Sequence, residues 1–423
     1  SFFSRPRRWH HIIKSGFTDS TGLEHTTYYK QRFIFPMLLH SKTAIVKRND
    51  PDKMRTIWGC SKVWIIADTM IWWELIAWMK LNRGSSPMLW GYETFTGGWF
   101  RLNATLFSQY TQRSYVTIDW SRFDKRAYHW LMRRILLKNR DYLDFSQGYL
   151  PNTSYPRSEG WNSNKSTALD RLYDWSQENL FNAPIVLPDG RMYTRNYAGL
   201  PSGLYTTQLL DSWYNYTLLA IVLTYLGYNL EKSIIKVQGD DSIIRLAMLI
   251  PPLEHEDFLL RMQSTADTLL HAKLSLDKSE IRNQLNGCEV LSYRNHHGLP
   301  YRDELSMLAQ FYHTKAKDPT PEITMAQAIG FAYAACGHHR RIHEMLKSIY
   351  EYYRKQGFSP NPAGLTIVFG DSPDRPSLPF TADRFPTLAE TRAYLMDTDY
   401  RNAEQDAKTW PLTYFLYPPC SRP

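Results

Sequence analysis

The residues best equipped to do chemistry are the two acids of Gln238-Gly239-Asp240-Asp241. They join one β-branched run, Ile234, Ile235 and Val237, to another, Ile243, Ile244 and Leu246. Runs of this length and composition predict paired strands. Gly239 can adopt the positive φ that a tight turn requires, and a hairpin tip lifts both carboxylates clear of the apolar sheet. Adjacent carboxylates repel, so a bare pair has one pKa raised, whereas a pair that holds divalent cations stays ionised. Metal binding is the sharper reading of the turn, and a solvated Asp-Asp turn is the plainer one.

Other candidates lie on both sides of this turn. Tyr115-Val-Thr-Ile-Asp119 reads as a strand ending in an acid, with Asp124 after an intervening turn. Asp119 either faces Asp240 across neighbouring strands or caps a helix over residues 121–138. Gly199-Leu-Pro-Ser202-Gly203 is a flexible loop leading into a long apolar helix, on which Thr207, Asp211 and Asn215 recur every fourth residue and share one face. Buried polar stripes need partners, here a ligand or neighbouring backbone. Lys278 ends a short strand and turn beginning at Leu274, and is either a mobile acid or a surface charge. Upstream, Lys42, Lys47, Arg48, Lys53 and Arg55 alternate along extended segments. They either grip a triphosphate or protect a solvated edge strand.

The elements that must hold these groups belong to a chain of 423 residues, long enough for two or three subdomains around a large core. Its formal net charge of +9 is spread rather than gathered in a tail, and with 14% aromatic residues it points to a basic groove for a polyanion. Four dispersed cysteines without a CxxC pair exclude a disulfide framework and a zinc ribbon, and imply a reducing compartment. Cys336 lies near His338, His339 and His343, in what reads as a basic helical stretch. The apolar run 63–81 is interrupted by Asp68 and Glu74, and 214–226 is too short to span a bilayer, so both predict buried helices. The chain starts at Ser1 and is expected to be a fragment whose natural start lies upstream. A hairpin around Pro188-Asp189-Gly190 marks residues 139–197 as an insertion. Pro251-Pro252 predicts a helix to about His271, and residues 289–302 another hairpin about His296-His297-Gly298. Beyond Asp303 helices dominate, with Thr320-Pro321 a start and Gly357 a stop. Residues 357–386 read as a Pro-rich extended linker, and Thr387 with Glu390 as a capping box before an aromatic tail over 410–419.

Taken in order, Asp119 with Asp124, Ser202-Gly203 with Thr207, Gly239-Asp240-Asp241 and Lys278 resemble the palm motifs of viral RNA-dependent RNA polymerases. Lys53-Met-Arg55 upstream and Val290-Leu-Ser-Tyr293 downstream are similar too, so the resemblance spans about residues 40–310. It is most like the partitiviruses, through Leu200-Pro-Ser-Gly203, Thr207-Gln-Leu-Leu-Asp211-Ser and Pro188-Asp-Gly190, and the tail resembles that of their plant cryptic viruses. The resemblance implies an α+β right-hand fold with an antiparallel palm sheet flanked by helices. Fingers would take residues 1–110 and 139–198, palm 111–138 and 199–300, and thumb with C-terminal tail 301–423.

It further implies nucleotidyl transfer from NTPs to an RNA 3′-hydroxyl with two Mg²⁺ or Mn²⁺ ions on Asp119, Asp240 and Asp241. Lys278, or alternatively Lys273, would protonate the leaving pyrophosphate. Lys53 and Arg55 would grip the triphosphate, and Tyr293 with Arg294 would support the primer end. Asp124 would accept from the ribose hydroxyls, oriented by Asp211 and Asn215, with Ser202, Gly203 and Thr207 completing the nucleotide site. Picornavirus-like polymerases carry an Asn where this chain has Asp211. Implied partners are RNA template and product, NTPs and a viral capsid protein, with no membrane, in the host cytoplasm and inside the virion. Two alternatives stand. A reverse transcriptase shares the acids but usually has an aromatic and one more residue before Asp-Asp. A non-catalytic basic RNA-binding structural protein would bind RNA without magnesium dependence or nucleotide turnover.

Overall fold

The computed structural model describes residues 4–16, 33–46, 48–49, 54–82, 86–90, 92, 94, 97–107, 112–146, 148, 164–316, 318–369, 383–396 and 416. The first elements are α1 (Ser4–Lys14), β1 (Met37–Thr43), β2 (Met54–Gly59), α2 (Lys62–Leu81), α3 (Gly98–Leu106), β3 (Ser114–Thr117), α4 (Phe123–Arg126) and α5 (His129–Asn139). Next come α6 (Asn164–Asn182), β4 (Ile185–Val186), β5 (Met192–Tyr193), α7 (Thr207–Tyr225), β6 (Ile234–Gln238), β7 (Asp241–Leu246) and α8 (His255–Leu270). The chain continues with β8 (Glu280–Arg282), β9 (Glu289–Val290), β10 (Tyr293–His296), β11 (Leu299–Tyr301), α9 (Glu304–Tyr312), α10 (Pro321–Ala334), α11 (Arg340–Lys355), α12 (Ala363–Phe369) and α13 (Leu388–Met396).

The carboxylate hairpin lies in a four-stranded antiparallel sheet of order β6-β7-β3-β8. One face is apolar, with Val116, Ile235, Val237, Ile244, Leu246 and Ile281 joining the large core, while on the other, more polar face Tyr115 and Ile243 join a smaller one. The outer edge of β6 is closed by Pro87–Leu89, where Val237 N donates to Pro87 O and Leu89 N to Val237 O. α7 packs on β6 through an apolar side that includes Leu209, Leu218, Val222 and Leu223, all buried.

A second four-stranded sheet, β2-β1-β4-β5, draws the insertion back onto the N-terminal segment, since β1 pairs antiparallel with β2 and parallel with β4. A small three-stranded sheet, β11-β10-β9, leads to the C-terminal helices. There, Thr320 caps α10 by accepting from Ile323 N, and Thr387 and Glu390 form a reciprocal capping box. Among the described residues no helix is long and apolar enough to cross a membrane.

Three local expectations change. The helix expected over 121–138 is divided at Ala127-Tyr128. The backbone there bonds elsewhere: Gly199 N donates to Ala127 O, Tyr128 N to the Tyr214 hydroxyl, and His129 N to Tyr197 O. The strand expected at Leu274 is a single bridge to Trp120, and the strand proper starts at Glu280. The expected linker from 357 to 386 contains α12, which packs on α10, while residues 370–382 and nearly all of the tail lie outside the described residues.

The loop before α7 is seated on β2. Trp58 N donates to Ser202 Oγ at 3.0 Å, and a Cβ on Gly203 would stand 2.2 Å from Trp58 O. No side chain fits against a backbone oxygen at that distance. Gly203→Ala is therefore expected to cost about 3 kcal/mol or more, as overpacking against an unyielding wall does. Denaturant unfolding checks this, and a change under about 0.5 kcal/mol, the range of a neutral surface substitution, contradicts the close approach.

Candidate active site

The strand pairing sets where the acids sit. Gln238 pairs with Asp241, which leaves Gly239 and Asp240 as a two-residue connection. Gly239 has φ +61°, and Asp240 is not among the positive-φ residues, the pattern of a type II′ hairpin turn. β3 runs beside β7 with Val116 opposite Ile244. Carried forward along the chain, that register brings Asp119 abreast of Asp241.

Asp119 is fixed through both of its backbone polar groups. Its N–H donates to Ser279 Oγ at 3.1 Å, and its carbonyl accepts from Ser275 N at 2.9 Å. The turn that carries Lys278 is thereby bonded to the residue carrying the first acid. Asp119 does not cap a helix: α4 is preceded by Arg122 in the left-handed region, with no side-chain cap.

α7 supplies the braces. Asn215 is fully buried, and its Nδ2 donates to Gly239 O at 2.9 Å and to Asp241 O at 3.3 Å. Its Oδ1 accepts from Trp120 Nε1 at 2.9 Å. One amide thus links the residue after Asp119 to both sides of Asp240. One turn earlier on α7, Ser212 Oγ accepts from Gly239 N at 2.8 Å and donates to Gln208 O. Ser212, Ser279 and Trp120 were not singled out from the sequence. The available signal was only that Ser212 adjoins the polar stripe on a buried helix.

The acids influence one another. Burial, then the charges of Asp240, Asp119 and Glu289, push Asp241 up to about 6, although its surface is open to solvent at the hairpin tip. Burial raises Asp124 too, with Asp240 adding to the shift. Asp211 is raised well above the carboxylate range by burial, then by Asp124 and Asp240, and its buried Oδ1 lacks a hydrogen-bond partner. Oxygen donors crowded until they favour protonation suit a hard divalent cation, whose charge reverses that tendency. Among the described residues, no group of three or more His, Cys, Asp or Glu is gathered so that it could hold a metal ion by itself. An open arrangement fits an ion that takes one or two carboxylates and completes its shell with water and substrate phosphate.

The remaining candidates divide. Lys278 and Lys273 are both exposed, and the Lys273 carbonyl accepts from Ser121 N. Arg55 is exposed on β2 directly opposite Lys42. Like charges opposed across a strand pair are unfavourable, and an anion between them relieves the repulsion. Lys53 lies outside the described residues. Ser202 and Gly203 serve the junction with β2, and Thr207 Oγ1 donates to Pro201 O and Leu204 O within its own loop. Asn215 is committed to backbone and indole rather than open to a sugar. Tyr293 is likewise buried, donating its hydroxyl to Ala334 O at 3.2 Å, so it anchors the C-terminal helices instead of meeting a primer. Arg294 bonds Gly287 O and pairs with Glu289 and Glu280.

The family model described as viral RNA-dependent RNA polymerase matches residues 42–356. The chain is 61% identical over 417 residues to the RNA-directed RNA polymerase of White clover cryptic virus 1, covering 99% of this chain and 68% of that protein. It is 25% identical over 391 residues to the RNA-directed RNA polymerase of Atkinsonella hypoxylon virus, covering 83% of this chain but 56% of that one. Among solved structures, the RNA-dependent RNA polymerase of a human picobirnavirus superposes with a TM-score of 0.54 at 12% identity, over 89% of this chain and 61% of the other. Its insertion-loop deletion mutant gives 0.52 at 13% identity, over 79% and 59%. That likeness shows the α+β right-hand polymerase fold, and this chain spans less than two thirds of either solved chain.

Asn215→Ala would strand the Trp120 indole and the buried Gly239 carbonyl, each costing about 1–3 kcal/mol when left unpaired, and remove a bond to the Asp241 carbonyl. It is expected to lower stability by about 3 kcal/mol and to slow nucleotide incorporation, leaving the preference for ribo- over deoxynucleotides unchanged. Unfolding curves and paired kcat/KM values check this. Unchanged stability with a lost sugar preference would mean that the amide faces the ribose.

Proposed function

The chain belongs to the family of viral RNA-dependent RNA polymerases, and from that premise we propose that it copies RNA by nucleotidyl transfer at the Asp119, Asp240 and Asp241 cluster. The reading serves replication and transcription of a double-stranded RNA virus genome of the cryptic-virus type. The observation that carries it is the strand register that sets Asp119 abreast of Asp241, next to Asp240 in the hairpin turn, with Asn215 bracing that turn and the turn of Lys278 bonded to Asp119.

Asp119, Asp240 and Asp241 would hold two Mg²⁺ or Mn²⁺ ions. When bound, such ions lower the pKa of a primer 3′-hydroxyl and neutralise the triphosphate. Arg55 and Lys42 offer paired cations to the incoming phosphates, with Lys53 assigned to the same task from the sequence. Lys278 stands on a turn bonded to the Asp119 backbone and can deliver a proton to the leaving pyrophosphate. Lys273 is the alternative donor. Asp124 is the carboxylate for the ribose hydroxyls, and Asp211 beside it carries an unpaired oxygen able to orient the sugar edge. A site built to bond a hydroxyl penalises its absence by leaving buried polar groups unpaired.

Asp240→Asn is expected to reduce incorporation to background on an RNA template with labelled nucleotides, with RNA affinity kept within a few-fold. The substitution removes charge from the metal site and leaves the basic surface intact. Equal incorporation by variant and wild type would sink the reading and leave an RNA-binding protein. Lys278→Leu should slow single-turnover incorporation by roughly 10²-fold at nearly constant nucleotide affinity, a typical share for acid catalysis. That signature in Lys273→Leu instead would move the acid to Lys273.

A further inference from the structure

α2 is apolar through most of its length, yet Asp68 stands in its middle, only 3% exposed. Both of its oxygens turn to a single residue. Oδ2 accepts from Thr206 N at 3.0 Å and Thr206 Oγ1 at 2.8 Å, and Oδ1 accepts from Oγ1 at 3.0 Å. Thr206 is fully buried and immediately precedes α7, where its own side chain makes no helix cap. Burial pushes the Asp68 carboxyl up to about 7, and the Thr206 bonds draw it back. A buried carboxylate is costly, and a well-packed apolar residue of similar volume generally serves stability as well or better. The acid's contribution is therefore to be sought in what it fixes, the first turn of α7.

We propose that Asp68 is a positioning residue for nucleotidyl transfer, which acts through Thr206 to set α7 so that Asp211, Ser212 and Asn215 meet the Gly239-Asp240 turn. A helix transmits a displacement of its first turn along its length. Ser212 and Asn215 hold the turn by bonds of 2.8 and 2.9 Å, which a small slide or rotation of α7 breaks. Misplacement of reacting groups by about 1 Å can cost 10²-fold in rate.

The proposal rests on the polymerase reading, so wild type and Asp240→Asn are assayed alongside. Equal incorporation by those two refutes the reading itself, whatever Asp68 does. The test uses the full chain, with Thr206→Ser, Thr206→Val and the double variant Asp68→Leu/Thr206→Val, which replaces both polar partners by apolar groups. The expected result is a double variant that keeps its unfolding midpoint but loses about 10²-fold in kcat, with the nucleotide KM nearly unchanged. Thr206→Ser, which keeps both donors, should retain most of the wild-type kcat while Thr206→Val does not. A double variant that folds and turns over at the wild-type rate overturns the proposal. If the double variant does not fold, equal kcat in Thr206→Ser and Thr206→Val overturns it instead.

Discussion

A single buried amide carries the geometry of the site. Asn215 holds the Trp120 indole on one side and the carbonyls of Gly239 and Asp241 on the other, so two segments far apart in sequence are fixed to one side chain. The strand register brings Asp119 alongside Asp241, but register alone does not set how the hairpin tip turns. The turn is set by Asn215 and Ser212 on its backbone and by the left-handed Gly239. Because α7 carries both braces, whatever seats α7 also seats the acids. Three attachments do so: Asp68 at its start, the Ser202 and Gly203 contact with Trp58, and the apolar packing on β6.

This rigid scaffold holds groups that oppose one another. Asp124, Asp211 and Asp241 are all pushed toward their protonated forms, by burial first and neighbouring carboxylates second. A chain selected for stability alone would not gather them. The repulsion is balanced by hydrogen bonds to the backbone beneath the acids, which fix position without neutralising charge. Lys42 on β1 and Arg55 opposite it on β2 follow the same logic with the sign reversed. Charges held close to their own kind favour a ligand of the other sign.

Much of the fold was legible because its signals are local. Apolar runs ending in acids, a Gly at the turn and a capping box at Thr387 each state a backbone preference within a few residues. The α+β class and polymerase family also followed from motif order. What the sequence did not show was the use to which polar side chains are put. Thr207, Asn215 and Tyr293 look alike whether they face a ligand or a carbonyl, and Asn215 finds its partner 24 residues away. The same holds for Asp68, which in the sequence only interrupts an apolar run, while its partner Thr206 lies 138 residues on. The helix expected over 121–138 failed for a related reason. Its local propensity is continuous, but residues 197–199 and Tyr214 compete for the backbone of Ala127 to His129.

The central claim is that Asp119, Asp240 and Asp241 form one cation-binding centre because the scaffold holds them together. Mn²⁺ binding, followed by electron paramagnetic resonance with primed RNA and a non-hydrolysable nucleotide bound, addresses it directly. The account predicts two bound ions in the wild-type chain, and weakened binding in Asp119→Asn even though the hairpin acids are intact. Mn²⁺ binding in Asp119→Asn with wild-type stoichiometry and affinity would contradict it, since Asp119 would then lie outside the centre.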